Sequence, residues 1–237
     1  MKLQDKVTVI VGGEGPLGRA ATQKFLAEGS KLVIAWNSAE EWAEAKKLIP
    51  ADKQNGVIDL KIDATQEEQV QELMKKAKDS FGSIDILLHM VGLFHAGQLI
   101  WETDSAFLDK LININLKSAF LSCKHGVKYM LPQGKGRIVV FPPREAIDPK
   151  PRFGAYGIAK SGLVTLVTAL REELKGTGIA VNGVMPSVMD TWRTRRMPNA
   201  EPDKWVKPAE VADLLSVLCS DESAALSGSI LKVFGKL

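Results

Sequence analysis

The chain has 237 residues, 45% of them hydrophobic and 25% charged, the composition of an ordinary globular protein. Its 31 basic residues against 28 acidic ones leave a formal charge of +3, spread along the chain, which argues against a nucleic-acid surface. The longest apolar run falls far short of the about 18 residues of a membrane span, the start at Met1 lacks the apolar stretch of a signal peptide, and Cys123 and Cys219 sit in apolar helical patterns that read as reduced core residues of a cytoplasmic protein.

In chain order, residues 7–11 form a β-branched run, and Gly12, Gly13, Gly15 and Gly18 follow it. An amphipathic segment spans 17–28, a second strand 32–35 and a second helix 39–49. A third strand over 56–62, a third helix over 66–81 and a fourth strand over 84–91 continue the alternation. The pattern then gives a long helix over 107–130, a strand over 137–141, a helix over about 155–175, a strand over 179–185, a helix over 208–219 and a last strand over 229–234. Such alternation specifies a parallel sheet covered on both faces. With right-handed crossovers, the expected fold is a doubly wound, Rossmann-like α/β sheet of about seven strands in order 3-2-1-4-5-6-7, in three layers. No repeat or linker divides it, so 1–237 reads as one domain. The Pro-rich segments 142–151 and 186–208 lie where strands hand over to helices, the ligand-binding edge of an open α/β sheet.

Two motifs carry chemistry. The segment from Val11 through Glu14 to Gly18 joins the first strand to the first helix. Its glycines let the backbone turn tightly and approach a pyrophosphate, and the helix N-terminus offers unpaired N–H groups. Pro16 falls in the first helical turn, where its missing N–H costs least, although one phosphate donor is lost. The second motif is Tyr156 and Lys160. Residues four apart share a helix face, so phenol and ammonium point the same way. A nearby cation lowers a phenol pKa that is ordinarily near 10. The pair can then exchange a proton with an alkoxide or alcohol near neutral pH. A Tyr and a Lys on an amphipathic helix would give the same spacing.

Together these pieces resemble the short-chain dehydrogenase/reductase family, from Lys6 to about Phe234. The family's Thr-Gly-x-x-x-Gly-x-Gly lies over 11–18, with Val11 for Thr and Pro16 for the middle Gly. Its adenine-contacting Asp matches Asp63, its helical Asn matches Asn115, and its Tyr-x-x-x-Lys matches Tyr156 and Lys160. Its Asn-x-x-x-Pro-Gly matches Asn182 to Ser187, and the Thr beyond it matches Thr191. The resemblance implies NAD or NADP, held by Gly12, Gly15, Pro16, Leu17, Gly18, Trp36, Asn37, Asp63, Ala64, Val91, Gly92, Tyr156, Lys160, Pro186, Met189 and Thr191. It implies hydride transfer to or from a small carbonyl or alcohol substrate, with Tyr156 as acid/base, Lys160 as its tuner and Asn115 holding a relay water. It implies no metal. It also implies a homodimer or homotetramer built on the helices over 107–130 and 155–175, whose Ala119, Phe120, Leu163, Leu166 and Leu170 extend the apolar surface beyond one stripe.

The departures matter as much. The family's Asn-Asn-Ala-Gly is His89, Met90, Val91 and Gly92 here, and His89 reads as a core histidine with one hydrogen bond. The catalytic Ser position is Pro143, preceded by Pro142, and neither has an N–H to offer. Losing such a donor costs about 10²–10³ in rate. Arg144 is a candidate replacement, or a solvated loop residue. The stretch after the second strand, Trp36-Asn37-Ser38, is neither acidic nor basic, so NAD and NADP both stay open; Glu14 would repel a 2′-phosphate if it pointed there. Candidate substrate walls are Leu93, Phe94, Trp101, Pro142, Phe153 and Trp192. The basic run Arg193, Arg195 and Arg196 suits an anionic substrate or a solvated face, and the shortness of its loop within the family implies an open site. Asn115, Tyr156 and Lys160 support an enzyme; Pro143, Met90 and Val91 support an impaired dinucleotide-binding scaffold or sensor.

Overall fold

A computed structural model describes residues 1–236. Strands β1 (Val7–Val11), β2 (Lys31–Trp36), β3 (Val57–Lys61), β4 (Ile86–His89), β5 (Gly136–Val140), β6 (Ile179–Pro186) and β7 (Ile230–Val233) form one sheet, ordered β3-β2-β1-β4-β5-β6-β7. Every pairing is parallel, as the alternation of elements implies. The helices are α1 (Pro16–Ala27), α2 (Ala39–Lys46), α3 (Glu67–Phe81), α4 (Ser105–Ile112), α5 (Ser118–Met130), α6 (Gly154–Glu173) and α7 (Pro208–Leu218).

The period of two along each strand sorts the core into two layers. Val9, Val33 and Leu87 face α3, α5 and α6, where Leu73, Met74, Ala119, Leu163 and Val167 complete the packing. Ile10, Leu32, Ile34, Ile86 and Leu88 face α1, α2 and α7, against Phe25, Trp42 and Leu215. Because both faces are covered, β1 and β4 are buried at every residue, which is why they read as continuous apolar runs. Truncating a fully buried side chain here, such as Leu87, costs about 2–5 kcal/mol.

Two elements differ from the expectation. The fourth strand is confined to Ile86–His89, because Asp85 turns its carboxylate onto the Val7 N–H at 2.9 Å and Met90 to Gly92 leave the sheet as cleft wall. The helix expected over 107–130 starts at Ser105, capped by Asp104, and a π turn over Asn113–Lys117 interrupts it. The cause is Asn115, whose amide Nδ2 donates to the Leu111 carbonyl at 3.0 Å, four residues back. A side chain that takes a carbonyl from the helix ladder favours such a widened turn.

Of the apolar positions expected at a subunit interface, Ala119 and Leu163 are buried inside the chain, Leu166 and Leu170 pack partly against the core, and Phe120 is exposed. Among the described residues, no helix is long and apolar enough to cross a membrane.

Candidate active site

Strand order changes direction between β1 and β4, and a cleft of about 650 Å³ opens at the C-terminal ends of β1 to β4. Gly12, Gly15, Trp36, Asn37, Asp63, Ala64, Val91 and Gly92 line it, as the sequence anticipates. Gly12 turns at φ +93°, and its N–H and that of Gly13 bond to the Ala35 carbonyl at 2.9 and 3.0 Å, tying the loop to β2. A Cβ at Gly18 would lie 2.6 Å from the Gly13 Cα, so only glycine lets α1 begin against this loop. The α1 N-cap is Gly15, with no side chain bonded to the first-turn amides, which therefore face the cleft end unclaimed by the protein's side chains. Pro16 occupies the first turn; Leu17 and Gly18 are buried behind the loop rather than lining the cleft.

At the far wall, Asp63 accepts from the Thr65 N–H and hydroxyl through Oδ1 at 2.9 and 2.8 Å. Its Oδ2 has no protein partner among the described residues. Trp36 walls the cleft from a pinned position. Its ring stacks on Trp42 at 6.1 Å, and both indole N–H groups donate to Asp59 Oδ1. Burial works against the Asp59 carboxylate, but Lys46 and the two indoles outweigh it and hold its pKa below the ordinary value.

The expected catalytic residues converge beside the cleft. Asn115, fully buried, holds the strand end in place: its Oδ1 accepts from the Leu93 N–H at 2.9 Å and its Nδ2 donates to the Leu93 carbonyl at 3.1 Å. A Cβ on Gly92 would stand 3.1 Å from Lys160 Nζ and 3.2 Å from Asn115 Oδ1, so Gly92 sits between the two. Lys160 is 9% exposed and its ammonium has no hydrogen-bond partner among the described residues. Burial pushes its pKa down to about 8, against the raising effect of the Glu145 charge. Tyr156, one helical turn away, also lacks a hydrogen-bond partner; its ring meets Phe94 edge-on at 5.3 Å. Its pKa is not lowered, as the spacing with Lys160 implied, but raised, first by burial and then by the Glu145 charge. Desolvation dominates the balance at this phenol. Glu145 is the site residue that sequence reasoning missed. Its only signal was its place in the loop after β5, at the ligand-binding edge.

His89 is a core histidine, with two hydrogen bonds rather than one. Its Nε2 meets Ser118 Oγ at 3.1 Å and its Nδ1 meets Ser122 Oγ at 3.0 Å. Ser118 Oγ donates to the Ile114 carbonyl, so it accepts from His89, which fixes the Nε2–H tautomer. Burial, and secondarily the Lys160 charge, push the imidazole down to about 3.

Other expectations fare differently. Pro142 and Pro143 are buried, and Pro142 packs at the position where a Gly183 Cβ would lie 3.2 Å from its ring, away from the cleft. Arg144 bonds Asp148 and lies over the Phe234 ring at 5.2 Å, so it does not replace the missing hydroxyl. Thr191 exchanges hydrogen bonds with Thr194 in a local turn, Met189 packs partly against the core, and Pro186 ends β6; none lines the cleft. Phe94 and Phe153 join Tyr156 in one aromatic group, Leu93 packs on Leu111 and Ala159, and Trp101 points to solvent at 81% exposure. Trp192 lies under the Arg19 guanidinium at 4.4 Å. In the basic run, Arg195 pairs bidentately with Asp190 and Arg193 pairs with Glu41, so two of its cations are already neutralised.

Comparison with known proteins agrees with this fold. The short chain dehydrogenase family profile matches residues 6–202. A 3-oxoacyl-acyl-carrier-protein reductase of Thermotoga maritima is 29% identical, covering 100% of this chain and 99% of its own length. A cis-4-hydroxycyclohexanecarboxylate dehydrogenase of Sinomonas cyclohexanicum is 28% identical over 98% of this chain and 96% of its own. Among solved structures, a levodione reductase superposes with TM-score 0.90 at 24% identity, covering 98% of this chain and 97% of its own. A short-chain dehydrogenase/reductase of Serratia marcescens gives 0.89 at 24% identity, over 100% and 99%. The chain belongs to the short-chain dehydrogenase/reductase family and is an NAD(P)-dependent oxidoreductase.

Proposed function

We propose that this protein reduces a small carbonyl compound, or oxidises the matching alcohol, with Tyr156 as the acid/base. The observation that carries the reading is the buried, unpartnered Lys160 ammonium beside Gly92 and Asn115, one turn from an unpartnered Tyr156 hydroxyl. A bound nicotinamide dinucleotide supplies or accepts the hydride. Gly12 and Gly15 bring backbone close to its phosphates, Asp63 Oδ2 offers an acceptor at the adenine end, and Lys160 offers donors to a ribose. The raised pKa of Tyr156 keeps the phenol protonated at neutral pH, which suits donation to a developing alkoxide. Asn115 fixes the Leu93 backbone at the cleft rim and so holds the geometry around both groups.

Pro143 removes the second donor to the substrate oxygen. Tyr156 therefore carries the polarisation alone, and substrates with electron-poor carbonyls, which need less help in the transition state, are turned over best. Initial rates with NADH and NADPH across ketones of graded electrophilicity test this. Equal rates on activated and unactivated ketones contradict it.

Exposed Phe120 and Ile158 on α5 and α6 support a homo-oligomer through these helices. Light scattering that gives a monomer mass at all concentrations removes that part. Buried, reduced Cys123 and Cys219 suit a cytoplasmic location.

A further inference from the structure

In doubly wound dinucleotide folds an acidic side chain about 20 residues past the Gly-rich loop binds the ribose 2′-OH. At that place this chain has Asn37, at the end of β2. The carboxylate there comes instead from the Gly-rich loop itself. Glu14 Oε1 accepts from the Asn37 N–H at 2.9 Å and from the Ser38 N–H at 3.4 Å. Among the described residues, Glu14 Oε2 is buried without a hydrogen-bond partner. Glu14 and Asn37 both line the cleft.

We propose that Glu14 makes this enzyme select NAD(H) over NADP(H). The inference rests on the dinucleotide site proposed above and names the residue that chooses between its two forms. Three observations converge. The Asn37 and Ser38 amides, at the start of α2, are the donors a 2′-phosphate would seek, and a carboxylate already holds them. A phosphate brings a charge of about −1.5 to −2 and only acceptors at neutral pH, so beside Glu14 it meets repulsion and no compensating donor. A ribose diol, by contrast, carries hydroxyl donors, and the orphaned Oε2 is an acceptor whose burial without a partner is costly.

The nearby cations do not reverse this. Arg19 donates through Nε to the Glu14 carbonyl and through Nη2 to the Glu41 carbonyl, both at 2.9 Å, and stacks over Trp192. Arg193 is paired with the Glu41 carboxylate. Arg193 lines the same cleft, but its guanidinium and that of Arg19 are both engaged by these partners.

The test is equilibrium binding of NADH and NADPH to the full-length protein, read by nicotinamide fluorescence, for the parent and Glu14→Gln. The parent should bind NADH about 100-fold more tightly than NADPH. Glu14→Gln, which keeps an acceptor for the two amides and removes the charge, should shrink that ratio by about 10-fold or more. Raising salt from about 0.01 to 0.15 M should narrow the NADH-to-NADPH affinity ratio of the parent, because the extra repulsion on the 2′-phosphate is screened while the pyrophosphate common to both is affected alike. This salt arm needs no variant. Equal affinities, tighter NADPH, or an NADH-to-NADPH ratio that widens with salt would overturn the inference while leaving the dinucleotide site intact. An undiminished NADH preference in folded Glu14→Gln would do the same. If neither dinucleotide binds the parent, the underlying site assignment falls and the inference with it.

Discussion

The seam between β4 and α5 and the face of α6 each bury a basic side chain, and they treat it in opposite ways. His89, 2% exposed, has a serine hydroxyl on each ring nitrogen. Lys160, 9% exposed, has no hydrogen-bond partner among the described residues. Burial drives both pKa values down, to about 3 and about 8. The histidine loses its charge and joins the core, where its bonds to Ser118 and Ser122 brace the helix beside the π turn. The lysine keeps its charge at neutral pH, with the Glu145 charge only partly offsetting its burial. A buried polar group is ordinarily satisfied, so a lysine with no hydrogen-bond partner among the described residues, set behind the cleft-lining Gly92, points to a ligand that completes it.

The largest effect that sharpens this contrast lies next to Lys160. Tyr156→Phe should lower kcat by about 10³-fold while dinucleotide affinity changes little, since the phenol donates a proton rather than anchoring the cofactor. Intact turnover in this variant would remove Tyr156 from the chemistry. On the other side of the comparison, His89→Ala should cost about 2–4 kcal/mol in urea unfolding, because it opens a cavity and leaves the Ser118 and Ser122 hydroxyls with less to bond. Dinucleotide affinity should hold. Unchanged stability with lost binding would mean that His89 is a ligand group and that the contrast was misdrawn.

Smaller is the effect of Pro143→Ser. It restores a hydroxyl where the family places one and should raise kcat by about 10-fold on unactivated ketones. The buried position of Pro143 limits the gain, since a serine there must fit the same packed loop. No gain on any ketone would mean that the loop does not present position 143 to the substrate.

The pH dependence of both poles follows from the directions of the shifts. The unfolded chain binds a proton at His89 near 6.5, the folded chain only near 3. Between those values the unfolded state holds more protons, so stability falls as pH drops through this window. For Lys160 the unfolded pKa is near 10.4 and the folded one about 8. The lysine's destabilising effect is complete below about pH 8 and fades as pH rises toward 10. Under the proposed role of Lys160 as a donor to the ribose, turnover should do the reverse above about pH 8, as the ammonium is lost.

Much of this was legible in the sequence because it depends on local pattern. The β-branched runs and glycine turns gave the seven strands and their order, since parallel strands buried on both faces leave little freedom in topology. Of the cleft residues, Gly12 follows from the glycine spacing after the first strand, whereas Asp63 and Gly92 follow from the resemblance to the family. What could not be read depends on groups brought together through space. The strength of desolvation around Tyr156 reverses the direction of its shift, and only the folded core sets it. Glu14 reaching Asn37 across the loop, Arg144 turning to Asp148, and Thr191 turning to Thr194 are side-chain choices among several partners at similar sequence distance. The π turn at Asn115 was hidden for a related reason. The period of the helix continues through it, and only the competition for the Leu111 carbonyl reveals the break.

In the proposed function, Lys160 serves a ligand at the expense of the free protein's stability. Urea unfolding of the parent and Lys160→Met at pH 7, with and without saturating dinucleotide, tests it most directly. Lys160→Met should be more stable than the parent by about 1–3 kcal/mol without ligand, because a buried charge that Glu145 only partly offsets is replaced by an apolar chain of similar length. With dinucleotide the order should reverse, because the ligand stabilises the parent more strongly than the variant. A variant that is less stable than the parent by the same amount in both conditions would contradict the account, and would place Lys160 in the structure rather than in the site.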